Sequence, residues 1–297
     1  MRETTYTKTH IIVSTCLALL LVGGAWHVAI GEARDDERSR NDLRVIGFTD
    51  EGQLVSFRAR SPERTRQIGY VTGFTGTDTA LVGIDFRVQD GKLYGVGNGG
   101  GVYTIDPTTA EATFVNALTV ALVGTTFGVD FNPAADRLRI ISDAGQNLAH
   151  NVNAGGVTAA NATLTYTAPP AMAVPALGVT AAAYTNNDLN QPSTATTLFD
   201  LDTTLDQVAI QSPPGNGILV ATGKLGVDAA AGDAGAASGF DIYSLLKDGV
   251  TVANFPFATL AVDGTYRFYS VNLTTGQALS LGGFDEAIVD IAIPLSQ

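Results

Sequence analysis

Five short stretches of this chain share one pattern, and that repetition limits what it can fold into more than any other feature. "VGIDFR" around Gly83, "FGVDFN" around Gly128, "GVTAAAYT" around Gly178, "SGFDIYS" around Gly239 and "IVDIAIP" around Ile288 each read as a strand that opens a unit. Three more strand candidates follow each of the first four openers. They are "LYGVG", "VYTID" and "ATFVN"; "RLRIIS", "NLAHNV" and "GVTAA"; "TTLFDLD", "DQVAIQ" and "ILVATG"; and "VTVANF", "YRFYSVN" and "QALSLG". These runs are rich in β-branched and aromatic residues, and turn residues such as "QDG", "GNGG" and "DPTT" bound them. Four strands in a unit of roughly 45 to 60 residues is the size of a propeller blade.

The fifth opener has no room for three further strands, whereas "RVIGFT", "QLVSFRA" and "RQIGYV" stand near the other end without an opener. The two ends therefore complete one another. The expected fold is an all-β propeller of five four-stranded blades. Its ring is closed by a C-terminal strand over Ala287 to Pro294, which supplies the inner strand of the blade built from Arg44 to Val71. Such a fold buries both faces of each blade, which suits a chain with 45% hydrophobic residues, only 15% charged residues and 33 glycines.

Ahead of this single domain, assigned to residues 44–297, the apolar run "IIVSTCLALLLVGGA" follows Arg2 and Lys8 and precedes a charged stretch. Residues 1–31 read as a signal peptide or N-terminal anchor, with Ala29 and Gly31 suiting a cut after Gly31, and residues 32–43 as a charged linker. The protein is then exported, periplasmic or extracellular, and meets a membrane only through an uncleaved N-terminal segment. Processing would remove Cys16, Trp26, His10 and His27, leaving His150 as the one histidine and no thiol for a disulfide or thiolate metal site. It also removes Arg2, Lys8 and Glu3, so 15 basic residues remain against 28 acidic ones, a formal charge of −13 in place of −12. An acidic surface without a basic cluster opposes nucleic acid as a partner.

"GIDFRVQDGKLYGVGNGGGVYTIDPTT", "FGVDFNPAADRLRIISDAGQN", "AAAYTNN" followed by "TTLFDLD", and "QSPPGNGILVATGKLG", in that order, resemble the bacterial family known as domain of unknown function 4394. The resemblance runs from about Leu43 to about Ile293. It implies an exported, propeller-like domain and carries over neither activity nor catalytic residues. One departure is "QNLAHN", where Ala149 and His150 follow the leucine in place of an expected basic residue.

Four openers place an aspartate at the same point: Asp85, Asp130, Asp241 and Asp290. Near a central channel these carboxylates suit a hard cation such as Ca²⁺, a possible cofactor. They equally suit the repeated task of pinning blades through backbone amides, and repetition favours that reading. Arg137 and Arg139 alternate onto one face of a strand near Asn147, a candidate ligand-binding patch for carboxylate or sugar-acid groups. "GVGNGG" (Gly95 to Gly100) satisfies a dinucleotide-binding pattern, but a strand follows it, so it reads as a hairpin turn. His150 lacks a nucleophile partner and reads as surface or packing. The Pro-rich "APPAMAVPALG" and Ala/Gly-rich "DAAAGDAGAASG" read as blade-edge loops.

The expected function is a noncatalytic module that binds a protein or glycan. The competing reading is a Ca-dependent propeller hydrolase of lactonase or esterase type.

Overall fold

The computed structural model describes residues 42–168, 172–190, 195–229, 236–295 and 297. The leader and nearly all of the linker lie outside the described residues, as do residues 169–171 and 230–235 of the two insertions. No helix among the described residues is long and apolar enough to cross a membrane.

Strands follow one another with little else between them. Blade one takes β1 (Arg44–Thr49), β2 (Gln53–Arg58) and β3 (Ser61–Tyr70). Blade two is β4 (Leu81–Phe86), β5 (Leu93–Gly97), β6 (Gly101–Ile105) and β7 (Ala112–Ala117). Blade three is β8 (Phe127–Asn132), β9 (Arg137–Ser142), β10 (Asn147–His150) and β11 (Thr158–Ala160). A hairpin of β12 (Thr165–Ala168) and β13 (Met172–Pro175) comes next. Blade four follows with β14 (Val179–Tyr184), β15 (Leu198–Asp202), β16 (Gln207–Gln211) and β17 (Ile218–Lys224). Blade five is β18 (Gly239–Lys247), β19 (Val250–Val262), β20 (Thr265–Val271) and β21 (Ala278–Gly283), and β22 (Ile288–Ala292) ends the series.

The openers β4, β8, β14, β18 and β22 are the inner strands and pack on one another around the ring. β22 pairs antiparallel with β1, setting Gly47 opposite Ile291 and Ile46 opposite Ala292, so the last strand completes the first blade. The five-bladed arrangement and its closure follow the expectation from the repeats.

Turn chemistry sets several hairpins. Asp248-Gly249 and Asp263-Gly264 each connect two strands of blade five with both residues at positive φ, the two-residue turn whose twist matches antiparallel strands. The segment containing "APPAMAVPALG" departs from a simple loop. Its described residues include the β12–β13 hairpin, which adds to the outer edge of blade four through a parallel pairing of Thr165 and Tyr166 with Ile218 and Leu219. Proline and alanine give that stretch no alternation from which a strand can be read.

The core is divided among the five junctions. Ile46, Phe48 and Leu54 meet Ile84, Phe86 and Tyr103 between blades one and two. Tyr94 and Val102 meet Phe131 and Leu138 between two and three. Leu201 and Val208 meet Phe240 and Leu260 between four and five. Between five and one, Phe57 packs edge-on against Phe268 with ring centroids 5.1 Å apart. Between three and four, Ile141 of blade three meets Tyr184, Leu198 and Ala209 of blade four. The buried polar residues Arg139 and Asn147 of blade three lie there too.

Candidate functional site

The inner strands bring the repeated aspartates to the hub. One carboxylate oxygen from each of Asp85, Asp130 and Asp241 lies within 4.8 Å of the others, and all three residues are buried. Asp290 is buried beside them.

Each of the four accepts a backbone N–H from the next blade around the ring. Ile84 donates to Asp290 at 2.7 Å, Phe131 to Asp85 at 2.7 Å, Tyr184 to Asp130 at 3.0 Å and Ile293 to Asp241 at 2.6 Å. The clamp therefore recurs at four of the five junctions. At the fifth, from blade four to blade five, the alanines of β14 offer no carboxylate. Thr180 and Ser238 hydroxyls meet there at 2.7 Å, and the Asn187 amide donates to the Ile242 carbonyl at 3.0 Å. Close approach is built in as well: a Cβ on Gly128 would sit 2.6 Å from the backbone nitrogen of Ala182.

Burial, reinforced by the Asp241 charge, holds the Asp85 carboxyl well above the usual carboxylate range, and burial with the Asp85 charge does the same to Asp130. Burial raises Asp241 to about 7 against the pull of the Ile293 and Ile242 amides, and raises Asp290 well above its ordinary value. Two carboxylates at such a distance repel by on the order of 3 kcal/mol even at an effective dielectric of about 20. The hub thus carries fewer charges than it has carboxyls unless a cation joins it. Ca²⁺ takes six to eight oxygens. The trio supplies three, and the clamps already occupy an oxygen on each aspartate.

The predicted ligand patch divides. Arg139 and Asn147 meet, with guanidinium to amide oxygen at 2.6 Å, but both are buried between blades three and four. Arg139 also donates to Asn161 at 2.7 Å and to the Tyr184 hydroxyl at 3.3 Å. Asp200 of β15 faces this cluster fully buried, with neither carboxylate oxygen hydrogen-bonded among the described residues. Burial holds its carboxyl well above the usual range, and Arg139 only partly offsets that. Arg137 turns away and donates to the carbonyls of Ala135 and Asp136.

His150 is fully buried, with Nε2 2.9 Å from the Asn116 amide oxygen and Nδ1 3.0 Å from the Thr158 hydroxyl. An amide oxygen only accepts, so Nε2 carries the proton and Nδ1 receives the hydroxyl hydrogen. Both ring nitrogens are committed, and burial lowers the pKa to about 4. The "GVGNGG" turn receives an anion of its own. Asp78 accepts from the amides of Gly99 and Gly101, the latter at 3.0 Å, and from the Tyr103 hydroxyl at 2.7 Å. Side chains at Gly97 or Gly101 would collide with that carboxylate.

Arg87 was not singled out by sequence, yet it forms the bidentate tie between blades two and three, reaching Asp136 at 2.8 and 2.6 Å. Its place directly after the "GIDF" opener was the available signal.

Residues 53–292 match the model of a family described as "Domain of unknown function (DUF4394)". No curated protein matches. Among solved structures, a protein of unknown function from Bacteroides thetaiotaomicron is similar over 86% of this chain and 68% of its own, with 10% identity and a TM-score of 0.42. A protein from Lactobacillus plantarum is similar over 81% of this chain and 66% of its own, with 15% identity and a TM-score of 0.36. An auxiliary nutrient binding protein from Bacteroides ovatus is similar over 60% of this chain, with 13% identity and a TM-score of 0.37; the match spans 46% of that protein's length.

Proposed function

The chain belongs to the DUF4394 family, and we propose that it works as a noncatalytic binding module, exported to the periplasm or cell exterior, with a protein or glycan as ligand. The observation that carries the reading is the commitment of all four hub aspartates to backbone amides of neighbouring blades. Carboxylates spent on joining blades are poorly placed to hold a metal and activate water. His150, with both nitrogens bonded inside the fold, has none to offer as a base. The parts that break the repeat point outward instead: the hairpin on blade four exposes Val174, and Leu177 beyond it is exposed too. The apolar leader motivates export.

The second reading, a Ca-dependent hydrolase, is favoured by one observation, the convergence of Asp85, Asp130 and Asp241. Thermal unfolding of the full chain in excess chelator and then in millimolar Ca²⁺ separates the two, because a ligand of the native state raises its apparent stability. The binding-module reading expects equal midpoints and no turnover on ester, lactone and glycoside panels. A Ca²⁺-dependent rise that vanishes in Asp85→Asn/Asp130→Asn, with turnover lost in the same variant, would overturn it.

A further inference from the structure

The proposed binding role lacks a site, and the charge distribution supplies one. The chain has 17 basic residues against 29 acidic ones, yet Arg44, Arg58, Arg64 and Arg66 line a single cleft of about 630 Å³ where blade one meets the β6–β7 turn of blade two. None of the described residues lining it is acidic. The strand registers enforce the crowding. Arg44 stands directly opposite Arg58 across β1 and β2, and Ser56 directly opposite Arg66 across β2 and β3.

The outer strand of blade one turns its arginines to one face. Thr65 donates to Glu286 at 3.1 Å, beyond blade five, while Arg64 and Arg66 alternate onto the opposite face and line the cleft. Arg64 lies 3.8 Å from Glu63, but both are exposed, and a pair of that kind contributes little. Across the opening, Arg44 donates to the Pro107 carbonyl at 3.5 Å, which seats its guanidinium between the two blades.

We propose that this cleft binds an acidic saccharide, one bearing carboxylate or sulfate groups. The inference deepens the binding-module reading and rests on it. Planar guanidinium forks take such oxyanions two bonds at a time. Ser56, Gln67 and Thr108 stand among the arginines as partners for sugar hydroxyls, and Ile68 and Pro107 give a ring an apolar surface. The volume falls in the range of small-ligand sites. The acidic remainder of the chain repels a long polyanion, so a short acidic sugar fits better than nucleic acid.

The test is calorimetric titration of the full chain with trigalacturonate, a sulfated disaccharide, neutral maltotriose and inorganic sulfate. The assignment expects at least one acidic sugar to bind where maltotriose and sulfate alone do not. It expects Arg44→Ala/Arg66→Ala to weaken that binding by about tenfold or more at an unchanged unfolding midpoint, with the double lysine variant between. Binding by neither acidic sugar, equal binding of maltotriose or sulfate, or unchanged affinity in the alanine variant would each overturn it. Cleavage of the bound sugar would instead overturn the noncatalytic reading and leave the cleft's ligand class standing.

Discussion

At the hub, Asp85, Asp130 and Asp241 bring three carboxyls within 4.8 Å in a buried place; at the cleft, Arg44 faces Arg58 across two strands in an open one. Surroundings decide what each crowd becomes. Buried carboxyls can surrender charge by taking protons, and the amides of the next blade use the oxygens that remain. Guanidinium groups keep their charge at any ordinary pH, so the cleft stays cationic and attracts anions. The hub device recurs at four junctions and belongs to the architecture of the ring. Among the described residues, Arg44, Arg58, Arg64 and Arg66 of blade one line one cleft, and a feature that breaks the repeat is where a specific task fits.

The largest expected effect breaks the hub side of this contrast. Asp130→Ala leaves the buried Tyr184 amide without its acceptor and should cost about 3 kcal/mol in denaturant unfolding at pH 7. Asp130→Asn keeps an acceptor and should cost far less. Equal stability of the alanine variant and the parent would end the clamp interpretation.

Titration gives the next effect. A carboxyl with a raised native pKa favours folding below its unfolded pKa, and that contribution is lost as pH rises through the native value. Asp85, Asp130, Asp200 and Asp290 are raised well above the usual range and Asp241 to about 7. His150 acts oppositely: lowered to about 4, it favours folding above its ordinary 6.5 and loses that contribution as pH falls. The interval from pH 6.5 to 8 therefore isolates the carboxyls. Metal-free protein should lose on the order of 2 kcal/mol across it, read from unfolding midpoints at each pH, and Asp200→Asn should flatten the slope. A flat or rising profile in the parent would show the hub charges to be compensated.

A smaller effect belongs to the junction without an aspartate. Thr180→Val removes the hydroxyl contact to Ser238 and should cost about 1 kcal/mol in the same unfolding assay. The smallest is at the cleft, where Arg44→Ala should change stability by less than about 0.5 kcal/mol. A larger loss there would make the arginines part of the scaffold and erase the contrast.

The blades were legible because their signals are local. Openers, alternating strands and Asp-Gly turns each lie within a few residues, and "IVDIAIP" announces closure by lacking companions. The hub aspartates were legible for the same reason, since a shared position in a repeat becomes a shared position in the ring. Spacing sets Arg139 on one strand face with Arg137, but gives no sign that Arg139 meets Tyr184 and Asp200 of the next blade. The arginine cleft was invisible for a related reason. "RVIGFT", "QLVSFRA" and "RQIGYV" read as strands and leave Arg64 between the last two, yet only register sets Arg44 against Arg58, and only the ring brings Pro107 to face them.

The pairing of β22 with β1 has a consequence for the order of events during synthesis. Until Ile288–Ala292 has been made, blade one lacks its inner strand, Asp241 lacks the Ile293 amide, and Ile84 lacks the Asp290 carboxylate. The first strands emerge and wait nearly the whole length of the chain for their partner. Such long-range pairing is slow to form, so the ring stays unlatched until its final segment arrives. A product cut short before that segment would keep four complete blades and an open seam, a ready substrate for proteases.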